Sequence, residues 1–131
     1  MATPQDRRVS ARGLSFHYVE WGAAPQPPLV CLHGITQTAH SWDEVAATLA
    51  SEYRVLCFDQ RGHGDSDWAP NGDYTRQTQA ADVDAFTDAL GLGQFVLAGM
   101  SMGGINSITF TALRPRKVRA LIIVDVSPEI Q

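Results

Sequence analysis

The sequence predicts an α/β fold in which an antiparallel hairpin leads into a parallel sheet with helices on both faces. Three observations carry this. A continuous apolar run occurs at 29–32 and another at 95–98, and largely apolar stretches at 53–58 and 118–126 read as further strands, the pattern of strands buried on both faces. Stretches with helical spacing of apolar residues separate them, and alternation of strands with helices is the signature of a covered parallel sheet. The segment before them differs: Leu14, Phe16 and Tyr18 alternate with polar or small residues, as an antiparallel strand with one wetted face does.

In chain order, 8–10 and 14–21 flank Ala11, Arg12 and Gly13, while Leu14, Phe16 and Tyr18 alternate with polar or small residues, predicting a hairpin with one wetted face. Pro25, Pro27 and Pro28 punctuate a loop before the run Leu29, Val30, Cys31, Leu32. Ser41 and Glu44 have capping-box spacing, and Trp42, Val45 and Leu49 follow at helical intervals, predicting a helix over about 42–50. After the strand 53–58 comes a glycine-punctuated loop, 59–66. Ala80, Val83, Phe86 and Leu90 mark an amphipathic helix stopped by Gly91 and Gly93. Beyond the strand 95–98, residues 102–113 form a helix with Ile105 and Ile108 on one face, ended before Pro115. The last strand is 118–126, and the whole is expected to be a single unit, 1–131.

The 131 residues are enough for one domain with a real core, and 44% apolar with 18% charged residues is the balance of a globular protein. A net charge of −4 with no long block of like charge argues against a nucleic-acid partner. The basic cluster Arg114, Arg116, Lys117 and Arg119 is expected at a helix C-terminus, on a solvated face. Residues 1–13 carry arginines and no apolar run, so no secretory signal or membrane contact is expected and the cytoplasm is the default location. Cys31 and Cys57 lie inside predicted strands and read as buried free thiols. No close cysteine or histidine pair of the C-x-x-C kind occurs, so neither a metal site nor a cofactor is expected.

The chemistry concentrates at three places. Gly99-Met100-Ser101-Met102-Gly103 fits G-x-S-x-G, a sharp strand-to-helix turn that exposes a serine hydroxyl. It lies between a predicted strand and a predicted helix, as that turn requires, and Gly104 follows. Ser101 is the candidate nucleophile, with a strained, left-handed backbone, and Gly99, Gly103 and Gly104 are its structural glycines. Leu32-His33-Gly34-Ile35 leaves a buried strand at its C-terminal end, where ligand sites collect in such sheets. Gly34 allows close backbone approach, and the amides of Ile35 and Met102 are the candidate donors to an oxyanion. His33 reads as a residue that orients this loop, with a role as general base left open. The third place is Asp59-Gln60-Arg61-Gly62-His63-Gly64-Asp65-Ser66.

These motifs, in this order, resemble the α/β-hydrolase superfamily: H-G after the third strand, D-x-R-G-x-G-x-S after the fourth, G-x-S-x-G-G after the fifth. The resemblance runs from the first hairpin to the exit of the sixth strand at 121–128. It implies the N-terminal part of that fold's sheet, Ser101 as nucleophile, Ile35 and Met102 as oxyanion donors, 59–66 as a structural loop, and acyl transfer to water. A serine at this position departs from the aspartate nucleophile of epoxide hydrolases and haloalkane dehalogenases of the same fold. In the family the catalytic acid usually follows the seventh strand and the histidine the eighth, elements expected beyond residue 131. His17, His33, His40 and His63 all precede Ser101, so none is assigned as base. Asp125, at the end of the sixth strand, is a candidate acid, with a structural role as the other reading. The strand exit at 126–128 is where a cap is usually inserted.

The resulting expectation is a serine hydrolase acting on a small carboxylic ester or lactone, weak or inactive as this chain alone. A carbon–carbon bond hydrolase or a cofactor-free perhydrolase is a second reading. A third is a non-catalytic assembly module that pairs through its sixth strand with a missing C-terminal half or a second copy of the chain, since four large apolar residues, 121–124, suit a covered strand.

Overall fold

Six strands form one mixed sheet in the order β1-β2-β4-β3-β5-β6, seen in a computed structural model that describes residues 3–124. β1 (Gln5–Ala11) and β2 (Leu14–Trp21) pair antiparallel, and β2 continues antiparallel onto β4 (Arg54–Phe58). From there β4, β3 (Pro28–Leu32), β5 (Phe95–Met100) and β6 (Val118–Val124) run parallel. The fold is the N-terminal portion of an α/β sheet with helices on both faces, as the sequence predicts.

Alternation along the strands divides the core. Phe16 and Tyr18, Val30 and Leu32, and Leu56 and Phe58 point to one face, against Ala80, Val83 and Phe86 of α2 (Arg76–Ala89) and Phe110 of α3 (Met102–Leu113). Val19 and Trp21, Leu29 and Cys31, and Val55 and Cys57 point to the other, against Trp42 and Ala46 beside α1 (Asp43–Leu49). Cys31 and Cys57 face each other across β3 and β4 as buried free thiols. The Cys31 thiol opposite it and burial push the Cys57 thiol well above its ordinary pKa.

Four sequence expectations are corrected. The wetted strand is β1, while β2 is buried along nearly its whole length because it lies between β1 and β4 with both faces covered. The Ser41–Glu44 capping box does not form. The chain enters α1 through a 3-10 turn, Ala39–Trp42, capped by Thr38, whose hydroxyl accepts the His40 amide at 3.2 Å; Ser41 is already inside that turn. Val45 is exposed, and α1 is anchored by Trp42, Ala46 and Ala50. In α3 the buried face is Gly103, Asn106, Ser107 and Phe110, with Ile105 and Ile108 only half-buried. Small residues line the buried side because the helix lies against strand backbone there.

The basic cluster is tied across helices. Lys117 Nζ lies 2.7 Å from both Asp84 and Asp88 of α2, and Arg114 lies 3.2 Å from Asp84. No helix among the described residues is long and apolar enough to cross a membrane.

Candidate active site

β5 ends at Met100 and α3 begins at Met102, so Ser101 alone makes the turn between them. It does so at φ +54° and ψ −119°. The φ is left-handed, as expected; the ψ is not that of a left-handed helix, and the residue sits in a region a side chain rarely adopts. Its amide donates to the Val124 carbonyl at 3.1 Å and its carbonyl accepts from Ile105 at 3.1 Å, which ties the turn to β6 and to the first turn of α3. Its hydroxyl has no hydrogen-bond partner among the described residues.

The glycines around it are demanded by contact. A Cβ on Gly99 would overlap the Gly103 carbonyl and the Ser107 hydroxyl, and one on Gly103 would overlap the backbone carbonyl of Leu32. Gly104 is buried beside them. A Cβ on Gly34 would stand 2.6 Å from Gln37 Oε1 and 3.1 Å from the Ser101 Cβ, so this loop lies directly against the serine.

Within the loop, the Gly34 amide donates to Gln37 Oε1 at 2.8 Å, and the Gly34 carbonyl accepts from the Gln37 amide at 3.1 Å. Thr36 takes a positive φ of 63°. The Ile35 amide has no acceptor among the described residues, and its side chain is exposed. Met102 occupies the first position of α3, where helix amides have no intrahelical partner. Among the described residues, neither amide has an acceptor; Ile35 follows the Gly34 that lies against Ser101, and Met102 follows Ser101 itself.

His33 is completely buried, and its Nδ1 donates to the Gly34 carbonyl at 2.7 Å while Nε2 accepts from the Gln60 amide at 3.0 Å. A carbonyl only accepts and an amide only donates, so the ring is held neutral with its proton on Nδ1. Burial, with the nearby His63 ring adding to it, pulls its pKa down to about 4. Both nitrogens are occupied, and the ring has none free to take a proton from Ser101. His40 pairs with Asp43 at the surface, and His63 donates to the Arg61 carbonyl. Asp125 and the strand exit after it lie outside the described residues.

The loop after β4 is braced by ions. Asp59 accepts from the Ala39 and Asp65 amides and sits 2.6 Å from His17 Nδ1, whose Nε2 lies 2.8 Å from Asp6. Burial opposes charge on His17, but the hydrogen bonds to Asp59 and Asp6 outweigh it and raise its pKa. His17, Asp59 and Asp65 bring three potential metal ligands within 4.8 Å of one another. The His17–Asp59 contact is itself a closed hydrogen bond, and both Asp59 oxygens hold backbone amides, so their evident work is to shape the loop. Arg61 makes a two-pronged pair with buried Asp82 of α2, at 2.6 and 2.8 Å.

Sequence reasoning missed Asp82, Gln79 and Asn106 and placed Gln60 only within the structural loop 59–66; all four are buried. The available signal was polar residues falling on the inward faces of apolar-periodic helices: Gln79 and Asp82 beside Val83 in α2, and Asn106 beside Phe110 in α3.

A strand–serine–helix turn with a glycine loop packed against it, at the C-terminal ends of the parallel strands of a mixed sheet, defines a protein of the α/β class. The α/β-hydrolase fold family matches residues 27–130, and the chain belongs to that family. It is 35% identical to an esterase of Mycobacterium tuberculosis over 95% of this chain and 40% of that protein. It is 36% identical to a non-heme chloroperoxidase of Streptomyces lividans over 93% of this chain and 45% of that protein. The crystal structure of epoxide hydrolase A from Mycobacterium thermoresistibile superposes with a TM-score of 0.91 at 29% identity, covering 97% of this chain and 40% of that one. The chain thus spans under half the length of these relatives.

Proposed function

We propose that this chain carries the nucleophile half of a serine hydrolase acting on a carboxylic ester or lactone. The observation that carries the reading is the apposition of the Ser101 elbow, at positive φ, with the Gly34 loop against its Cβ. In this reading the Ser101 hydroxyl oxygen bonds to the ester carbonyl carbon, and its proton passes to a base outside the described residues. The carbonyl oxygen becomes an oxyanion between the Ile35 and Met102 amides. The C–O bond to the alcohol then breaks, the alcohol leaves with a proton, and water hydrolyses the acyl-enzyme. Ser101 in place of aspartate favours this over epoxide opening.

Without an assigned base, the chain alone should turn over slowly. Oxyanion stabilisation and binding by themselves leave about a thousand- to ten-thousand-fold acceleration over water. p-Nitrophenyl acetate hydrolysis by the purified protein and by Ser101→Ala, with fluorophosphonate labelling mapped by mass, tests this. Slow turnover and a label on Ser101 support it. Labelling elsewhere, or hydrolysis equal in the two proteins, refutes it, and rapid turnover lost in Ser101→Ala shows that a base is present in the chain.

The relative that is a chloroperoxidase keeps perhydrolysis as a second reading, tested by halide oxidation in peroxide and acetate. The assembly reading rests on β6. It pairs with β5 on one side, has no strand partner on the other among the described residues, and leaves Ile122 48% exposed. Such an edge suits a further strand, from the rest of a longer enzyme or from a second copy. Sedimentation over a tenfold concentration range should show association, and a single 14.3 kDa species throughout would remove that reading.

A further inference from the structure

Three buried side-chain amides meet between the elbow helix and the loop that leaves β3. Asn106 Nδ2 donates both its hydrogens, to Gln60 Oε1 at 2.7 Å and to Gln79 Oε1 at 3.0 Å. Gln60 Nε2 donates to the His33 carbonyl at 2.7 Å, and Gln79 Nε2 donates to the Tyr74 carbonyl at 2.8 Å. Main-chain carbonyls only accept, so they turn both glutamine oxygens toward Asn106, and only an amide nitrogen can answer two such oxygens. The orientation of every member is therefore determined. A polar cluster this deep costs more than an apolar one would, and a fixed geometry is what it supplies in return.

The geometry it fixes lies beside Ser101. Asn106 sits one helical turn beyond Met102, in the first turns of α3. Gln60 holds His33 twice, by its side chain on the His33 carbonyl and by its backbone amide on Nε2, and His33 Nδ1 holds the Gly34 carbonyl. The path runs Asn106, Gln60, His33, Gly34, and the next residue is Ile35. We propose that Asn106 is a positioning residue that, through Gln60 and His33, holds the Ile35 amide at a set place relative to the Met102 amide across the serine. The inference rests on the reading of these amides as the oxyanion donors. Gln79 anchors the far side of Asn106 and does not touch His33, so the two glutamines separate the path from general packing.

The test reads geometry and not turnover, so it can fail while the hydrolase reading stands, and the reverse. Protein with 15N-labelled histidine and isoleucine is examined at pH 7 by long-range 1H–15N correlation for the His33 ring and by amide hydrogen exchange for Ile35. The wild type should show one neutral tautomer at His33, protonated on Nδ1. Asn106→Leu and Gln60→Met should lose that single-tautomer signature and shift the Ile35 amide. Gln79→Met should disturb both less. Thr87→Val, which removes a buried hydroxyl bonded to Val83 within α2, should leave both unchanged while lowering the unfolding midpoint. A charged or Nε2-protonated His33 in the wild type overturns the proposal whether or not the variants fold. So do unmoved His33 and Ile35 signals in any folded Asn106→Leu or Gln60→Met protein, or equal shifts in Thr87→Val.

Discussion

β5 has two neighbours of opposite character. On the β3 side, backbone meets backbone through Gly99 and Gly103, and every His33 ring nitrogen has a partner. On the β6 side, a seven-residue strand, entirely apolar but for Arg119, is half-exposed. One flank of the serine is finished from inside the sheet, and the other presents, among the described residues, a strand edge and apolar surface. The contrast teaches that the packing of the Gly34 loop against Ser101 is a property of this stretch of chain's own close backbone contacts, whereas the β6 flank leaves apolar surface open among the described residues.

Substitutions can break this contrast. The largest effect is expected for Gly103→Val, because the obstacle is the Leu32 backbone, which cannot give way as a side chain would. A loss exceeding about 4 kcal/mol in urea unfolding is expected. Next is Asp82→Ala, which strips buried Arg61 of its two-pronged partner; breaking such a pair costs about 3–5 kcal/mol, read in the same assay. A loss under 1 kcal/mol in either would mean that the inner region is less closely fitted than its contacts imply.

The pH profile sharpens the comparison. His33 titrates at about 4 when folded against 6.5 when free, so the unfolded chain takes up a proton first. Stability should fall as the pH drops from about 6.5 to 4, by about 3 kcal/mol. His17 has the opposite sign. Its raised folded pKa gives a contribution fully present below pH 6.5 and lost as the pH rises through the folded value. Urea midpoints from pH 4 to 9 should peak near neutrality, and His17→Gln should remove the alkaline fall alone.

The smallest effect is expected at the edge. Ile122→Lys should change stability by no more than about 0.5 kcal/mol while reducing light scattering at high concentration. A loss as large as that of Asp82→Ala would show that the edge is covered in solution.

Strands, the two-sided covering of the sheet, and the three glycine-bearing turns were legible in the sequence, because each is written in neighbouring residues: a run of Leu29 to Leu32, a period through Ala80, Val83 and Phe86, glycines flanking Ser101. These signals act over a few residues, through backbone sterics and hydrophobic period. Ser41 misled because a capping box is a local pattern that a 3-10 turn one residue earlier can pre-empt. Ile105 and Ile108 misled because apolar period marks what prefers burial, whereas close backbone approach selected the small and polar face of α3.

By itself, then, the sequence determined the strand and helix order, the antiparallel start and the serine turn. The tertiary structure alone decided that β4 inserts between β2 and β3 and that Asp82 meets Arg61. It also decided that Asn106, Gln60 and His33 join into one path. Those pairings span 21 to 46 residues, and no local preference encodes them; they exist because packing removed water and brought donors and acceptors from distant segments within hydrogen-bond reach.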